Sequence, residues 1–199
     1  GFCISDKSAC VIGCGGLGCN IAVHLVGGGI GKLTLCDFDE IHESNLNRQF
    51  LFTKDDIGKS KCEILKRRLY DFSQDTEIKC IDLKIKTESD MQFAKDCDII
   101  LLAVDNIDAR KLVQNYAANN NIPLVCGGID GFYGMAYLYI PGFGHIEVDA
   151  EADRSCYYDG EELYYSNSAP EGLKINHKRL RKVVGVGSSE VVASSDNCL

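Results

Sequence analysis

The sequence has no apolar run long enough to cross a membrane: its hydrophobic stretches are interrupted within about ten residues, against the roughly 18 that a span needs. It shows no basic, apolar leader ending in small residues, which argues against secretion and makes a cytoplasmic location the expectation. Low-complexity tracts and internal repeats are missing too, so the composition is that of an ordinary globular protein. There is no surplus of basic charge. The formal net charge is −8, and the basic residues are dispersed except at Lys66-Arg67-Arg68 and around Lys178, Arg179, Arg181 and Lys182. Those groups read as solvated helix faces or local phosphate sites, and nucleic acid is not expected as the main ligand. No Cys-x-x-Cys pair exists among the 11 cysteines. Several sit inside apolar runs such as Ala9-Cys10-Val11-Ile12 and Leu35-Cys36, where they act as small core residues of a reduced chain; spacing gives no zinc site.

What is present is enough for one large domain: 199 residues, 45% hydrophobic and 25% charged. An apolar strand at 8–12 runs into glycines and an amphipathic helix at 20–26, followed by a strand at 33–36 that ends at Asp37. Helical spacing of Ile64, Leu65 and Leu69 predicts a helix over 58–72, and alternation predicts a half-buried strand over 77–83. A short helix at 91–95, a buried strand at 98–104, a helix at 109–119 and a strand at 122–126 continue the rhythm. The fold class expected is α/β, a Rossmann-like, mostly parallel sheet with helices on both faces. Residues 133–140 alternate and follow the preceding strand too closely for a helical crossover, so they predict an added antiparallel strand. Over 141–176 no period holds, which reads as a long loop, and a last helix is expected near 180–193.

Gly13-Cys14-Gly15-Gly16-Leu17-Gly18 fits G-x-G-x-x-G between a strand and a helix, where glycines permit the tight turn and let backbone N–H groups approach phosphate. Asp37 ends the next strand, 19 residues after Gly18, where a carboxylate accepts hydrogen bonds from ribose hydroxyls. The pairing indicates a nucleotide without saying which, and a dehydrogenase would hold adenosine the same way.

Polar groups crowd the next segment: Asp37-Phe38-Asp39, Ser44-Asn45-Leu46-Asn47-Arg48-Gln49-Phe50 and Asp56-Ile57-Gly58-Lys59-Ser60-Lys61. Triphosphate chemistry needs cations to neutralise the pyrophosphate leaving group, and Arg48 with Lys61 near a glycine loop supplies them, whereas hydride transfer has no such need. Asp105-Asn106 follows the strand at 98–104. There Asp105 is a candidate Mg²⁺ ligand at the C-terminal edge of the sheet, or else the N-cap of the next helix.

Through these motifs, in order, residues 8–140 resemble the ThiF/MoeB/HesA family and the related ubiquitin-activating enzymes. The resemblance implies ATP and Mg²⁺, a homodimer, and adenylation of the C-terminal Gly-Gly carboxylate of a ubiquitin-like sulfur-carrier protein. It places Gly16, within the cradle of Gly13, Gly15 and Gly18, against ATP phosphate and Asp37, accompanied by Asp39, on the ribose. Asn45 and Arg48 would meet the phosphates, Lys61 the triphosphate, and Asp105, followed by Asn106, the Mg²⁺. The catalytic set implied is Arg48, Lys61 and Asp105. Attack comes from the substrate carboxylate, so the chain's part is positioning and charge stabilisation.

The chain departs from the family pattern in three places. Only Cys156 lies near the first of the expected zinc-binding pairs, so zinc is not expected. Ser166-Asn167-Ser168-Ala169-Pro170-Glu171-Gly172 stands where relatives carry a cysteine, leaving Cys156 a distant candidate for a thioester or persulfide step. No Arg precedes Arg48, so an N-terminal segment and a final strand are expected to lie outside this single ATP-binding domain. Alternatives are adenylation of a different carboxylate or of a modified tRNA base, and a non-catalytic module that binds a ubiquitin-like protein. The tyrosines Tyr157, Tyr158, Tyr164 and Tyr165 would either grip a peptide tail or cover the core.

Overall fold

The computed structural model describes residues 4–130, 133–142 and 144–148, with three further strands at Cys156–Tyr158, Glu162–Tyr165 and Lys174–Asn176. Strand β1 (Ser8–Ile12) is the centre. Ala9, Cys10, Val11 and Ile12 are all at most 2% exposed, which fits a parallel strand covered on both faces. Because side chains alternate across a strand, Ala9 and Val11 join one core cluster while Cys10 and Ile12 join another.

The first cluster is closed by α1 (Gly16–Gly27) and α2 (Lys61–Tyr70), through Cys19, Ala22 and Val26, and through Cys62, Ile64, Leu65 and Leu69. The second is closed by a 3-10 segment, Glu88–Ala94, and by α3 (Ile107–Asn119), through Met91, Ala94, Val113, Tyr116 and Ala117. Leu35, Leu65, Leu69 and Leu102 are completely buried, each contributing about 1.5–3 kcal/mol of transfer free energy. Helices therefore cover both faces.

Strands β2 (Lys32–Cys36), β3 (Glu77–Ile81), β4 (Ile99–Leu102) and β5 (Leu124–Asp130) run parallel to β1. β6 (Tyr133–Ile140) pairs antiparallel with β5, and β7 (Gly144–Val148) antiparallel with β6. Among the described residues the strand order is β3-β2-β1-β4-β5-β6-β7. The order reverses between β1 and β4, and open α/β sheets bind ligands at the crevice such a reversal leaves at the carboxyl ends of the strands.

Three expectations need correction. The stretch 141–176 is not one long loop. It carries β7 and then β8 (Cys156–Tyr158), β9 (Glu162–Tyr165) and β10 (Lys174–Asn176), which form a separate antiparallel sheet pairing Tyr157 with Tyr164. Strands of three to five residues are too short to carry a period and are held by pairing with distant neighbours. The short helix at 91–95 is the longer 3-10 segment, and the helix over 58–72 begins only at Lys61, because residues 54–60 form a 3-10 turn and the approach to Ser60. The helix expected at 180–193, the basic group near Lys178 and the 166–172 segment lie outside the described residues. No helix of the described residues is long and apolar enough to cross a membrane.

Candidate active site

The glycine loop is shaped by close backbone approaches. Gly13 has φ +92°, donates to the Cys36 carbonyl at 2.8 Å, and lies where a Cβ would meet the Ala103 carbonyl oxygen at 2.7 Å. A side chain there would prise β1 from the end of β4 at the order reversal. At Gly18 a Cβ would stand 1.7 Å from the Gly13 carbonyl oxygen, so α1 starts directly against the loop. Gly15 is the N-cap of α1, Gly16 opens the helix, and neither a side-chain cap nor an acidic residue occupies the first turn. Its first-turn N–H groups are thus left uncapped by any side chain, as an anion-binding helix start requires.

Asp37, at the end of β2, accepts a hydrogen bond from the Cys14 N–H at 2.6 Å on one oxygen and from the Asp39 N–H at 2.9 Å on the other. Burial raises its pKa, while those two N–H groups and the Lys61 charge oppose the rise. Asp37 therefore braces the loop, and its remaining lone pairs suit ribose hydroxyls. Lys61 begins α2, is 8% exposed, and places Nζ 3.0 Å from Asp39 Oδ2. Its backbone N–H donates to the Asp39 carbonyl, so the ammonium is delivered beside the strand end.

Cys14 Sγ and Cys62 Sγ touch at 3.8 Å beneath the loop. The Cys62 contact pulls the Cys14 thiol down, burial and Asp37 push it up, and the outcome is about 11, so it packs rather than reacts.

The segment between Asp39 and Lys61 is held by its own polar groups. Asn45 Oδ1 accepts the His42 N–H at 3.0 Å, and the Asn45 carbonyl accepts the Arg48 and Gln49 N–H groups at 3.2 and 2.9 Å. This leaves Nδ2 as the group of Asn45 suited to a phosphate. Arg48 Nη1 donates to the Ser44 carbonyl at 2.9 Å and to Asn47 Oδ1 at 3.0 Å, while its Nε is buried without a partner. Burial lowers the Arg48 pKa and the charge of Asp105 works against that, so the two charges share the crevice.

Asp56 has a structural role that spacing did not reveal. Only 1% exposed, its carboxylate accepts from Thr53 N–H and Oγ1, from Arg67 at 2.8 Å and from Arg68 at 2.9 Å. Arg67 and Arg68 are thereby accounted for as the anchors of this segment rather than as a phosphate site.

Beyond β4, Asn106 is the N-cap of α3, its Oδ1 accepting the Ala109 N–H at 2.9 Å. The capping role considered for Asp105 falls instead to Asn106, which is withdrawn from direct ligand contact through that oxygen, and Asp105 is exposed beside the crevice. Arg110, absent from the sequence reading, donates to the Val104 and Gly127 carbonyls and to Cys126 Sγ. It ties the turn that carries Asp105 to β5; two of its acceptors, Cys126 and Gly127, lie on that strand 16 and 17 residues away, so no local spacing announces it.

The Cys14 N–H thus ties the glycine loop to Asp37, Lys61 pairs with Asp39, Arg48 interacts electrostatically with Asp105, and Asn45 holds the backbone turn that carries Arg48. An open helix N-terminus and a buried, unpartnered Arg48 Nε fit a polyphosphate. Asp105 presents an exposed carboxylate, a hard oxygen donor of the kind that Mg²⁺ takes alongside phosphate and water.

The model of the ThiF family matches residues 3–188. The sulfur carrier protein ThiS adenylyltransferase of Bacillus subtilis is 33% identical over 141 residues, covering 70% of this chain and 42% of that protein. The NEDD8-activating enzyme E1 catalytic subunit of Arabidopsis thaliana is 36% identical over 145 residues, covering 66% of this chain and 32% of that one. Among solved structures, E. coli MccB with ATP matches at TM-score 0.65 and 32% identity, over 70% of this chain and 42% of that chain; MccB is also solved with AMPCPP and MccA. The chain spans about half or less of the length of these relatives.

Proposed function

The chain belongs to the ThiF family, and on that premise we propose that it is an ATP-dependent adenylyltransferase acting on the C-terminal Gly-Gly carboxylate of a ubiquitin-like sulfur-carrier protein. The observation that supports this reading is a glycine loop with no room for side chains at Gly13 and Gly18, accompanied by a nearly buried Lys61 and by an Arg48 that interacts electrostatically with the exposed Asp105. A dinucleotide site would need the cradle and Asp37 but not Arg48 and Lys61.

In the proposed reaction a carboxylate oxygen of the substrate attacks the α-phosphorus of ATP. The bond from that phosphorus to the bridging oxygen breaks, and pyrophosphate leaves with the electron pair. The first-turn N–H groups of α1 and Gly16 hold phosphate, Asp37 orients the ribose, and Arg48 and Lys61 stabilise the charge that grows on the leaving group. When bound, Mg²⁺ at Asp105 would supply further neutralisation of phosphate charge. No side chain acts as a nucleophile; the chain aligns two anions that would otherwise repel. A single ATP-binding domain acting as a cytoplasmic homodimer completes the proposal.

A second reading is favoured by the likeness to MccB, which is solved with MccA: the activated carboxylate would belong to a substrate other than a sulfur carrier. Pyrophosphate exchange separates the two. Exchange of labelled pyrophosphate into ATP that appears only with a Gly-Gly-ended carrier supports the first, and exchange with an unrelated peptide supports the second. Calorimetric titration with ATP plus Mg²⁺ and with NAD⁺ or NADH, using Arg48→Ala as control, tests both. Binding of NAD(H) alone would overturn the adenylyltransferase reading.

A further inference from the structure

Gln49 is 3% exposed, yet its Oε1 has no hydrogen-bond partner. Its backbone is fixed on both sides, the N–H donating to the Asn45 carbonyl at 2.9 Å and the carbonyl accepting the Phe52 N–H at 3.0 Å. The side chain is therefore aimed, and it is aimed at the glycine loop: Nε2 lies 3.6 Å from the position a Cβ of Gly15 would take, at the N-cap of the 12-residue α1. A buried amide oxygen left unpaired destabilises the free protein. Such a group in a site is explained when a ligand brings the missing donor.

Phosphate oxygens accept hydrogen bonds and cannot satisfy Oε1, the ribose hydroxyls are matched to Asp37, and the adenine amino group belongs to the end of the nucleotide remote from the phosphates that the loop beside Gln49 would hold. What remains among the reactants is the acyl substrate. A polypeptide C-terminus offers a carboxylate that accepts and, on the same terminal residue, a peptide N–H that donates, which is the pattern complementary to a primary carboxamide.

We propose that Gln49 is a specificity-determining residue for the acyl substrate, its Oε1 receiving the last peptide N–H of the tail while Nε2 faces the terminal carboxylate beside Gly15. The inference rests on the adenylyltransferase reading and adds to it that the substrate is recognised as a polypeptide end, not as a carboxylate alone. Gln49 takes no part in bond making. It holds the carboxylate over the loop, and a free carboxylic acid without the peptide N–H would leave Oε1 unpaired.

The test uses the full chain with Mg²⁺ and AMPCPP, a synthetic peptide ending in Gly-Gly, and its ester analogue in which the last peptide N–H is replaced by oxygen. Wild type should bind the peptide about tenfold more tightly than the ester, as loss of one buried hydrogen bond requires. In Gln49→Met, which keeps the volume and removes the amide, peptide and ester should bind equally, while AMPCPP affinity stays unchanged. The Tm of Gln49→Met should stay level or rise, because an unsatisfied polar group has been removed; a residue with only a structural role would lower it. Weakened AMPCPP binding in the variant, an equal ester penalty in both proteins, or no peptide binding by wild type overturns the assignment. Peptide binding with the expected ester penalty but no pyrophosphate exchange leaves the assignment of Gln49 standing and removes the adenylation reading alone.

Discussion

Replacing Asp56 by Asn should destabilise the fold by about 2.5–3.5 kcal/mol and weaken nucleotide binding without touching a ligand-facing residue. The magnitude follows from its partners. Asn retains one oxygen for the Thr53 N–H but loses the charge that holds Arg67 and Arg68, and its amide nitrogen turns a donor toward guanidinium donors. The Arg67 side chain is 53% exposed and re-enters water, so its share is near the surface value of about 0–1 kcal/mol. Arg68 is 29% exposed and also donates Nε to the Leu51 carbonyl at 3.2 Å, so losing its ion pair with Asp56 costs more, about 1.5 kcal/mol. The misplaced donor adds roughly 1 kcal/mol. For a chain of this size the sum lowers Tm by about 5–14 °C, readable by calorimetry or circular dichroism.

The pH dependence gives the same prediction a second arm. Burial pushes the Asp56 pKa up, but the Thr53 hydrogen bonds and Arg68 outweigh it, and the folded value lies below the ordinary carboxylate range. A depressed folded pKa means that the stabilisation is complete above the unfolded value of about 4 and is lost as pH falls toward the folded one. The gap in Tm between wild type and Asp56→Asn should therefore be constant near neutrality and narrow below about pH 4. A Tm change under about 2 °C, or a gap that widens in acid, would refute the reasoning.

Gly18→Ala should cost about 3 kcal/mol or more and abolish nucleotide binding, because its Cβ would stand 1.7 Å from a backbone oxygen. Gly15→Ala, whose Cβ meets only Gln49 Nε2 at 3.6 Å, should change stability by no more than about 1 kcal/mol in denaturant titrations. Arg48→Ala and Asp105→Ala should each abolish adenylate formation in pyrophosphate exchange while the far-ultraviolet spectrum stays that of wild type; retained exchange removes the role from that residue. ATP binding should weaken as pH falls through the raised pKa of Asp37, at a higher pH than an ordinary aspartate would give, and Asp37→Asn should erase that dependence.

Much of the fold was readable because its signals are local. The apolar run at 8–12, the glycines behind it and the alternation at 133–140 each fix one element within a few residues, and they correspond to β1, the α1 turn and β6. The candidate site is legible in part for the same reason: Gly13 and Asp37 directly follow β1 and β2, and Asp105 comes three residues after the end of β4, so the parallel sheet carries them to the carboxyl ends of its strands. That Asn106 rather than Asp105 caps α3 is not legible in the sequence, because the choice of N-cap between two adjacent polar residues depends on backbone angles, not on their order. Arg110 and Asp56 were missed because their partners are up to 17 residues away and nothing in their spacing marks the pairing.

The sequence by itself determined the parallel core, the glycine cradle and the identity of the charged groups, since periodicity and turn chemistry act over a few residues. Tertiary structure alone decided that the β1/β4 reversal brings Gly13 against Ala103, that Asp56 is caged by Arg67 and Arg68, and that Gln49 is buried without a partner for its oxygen. Those outcomes depend on which distant backbones come within hydrogen-bonding range, and burial converts an ordinary polar side chain into one that must be matched by the protein or by its ligand.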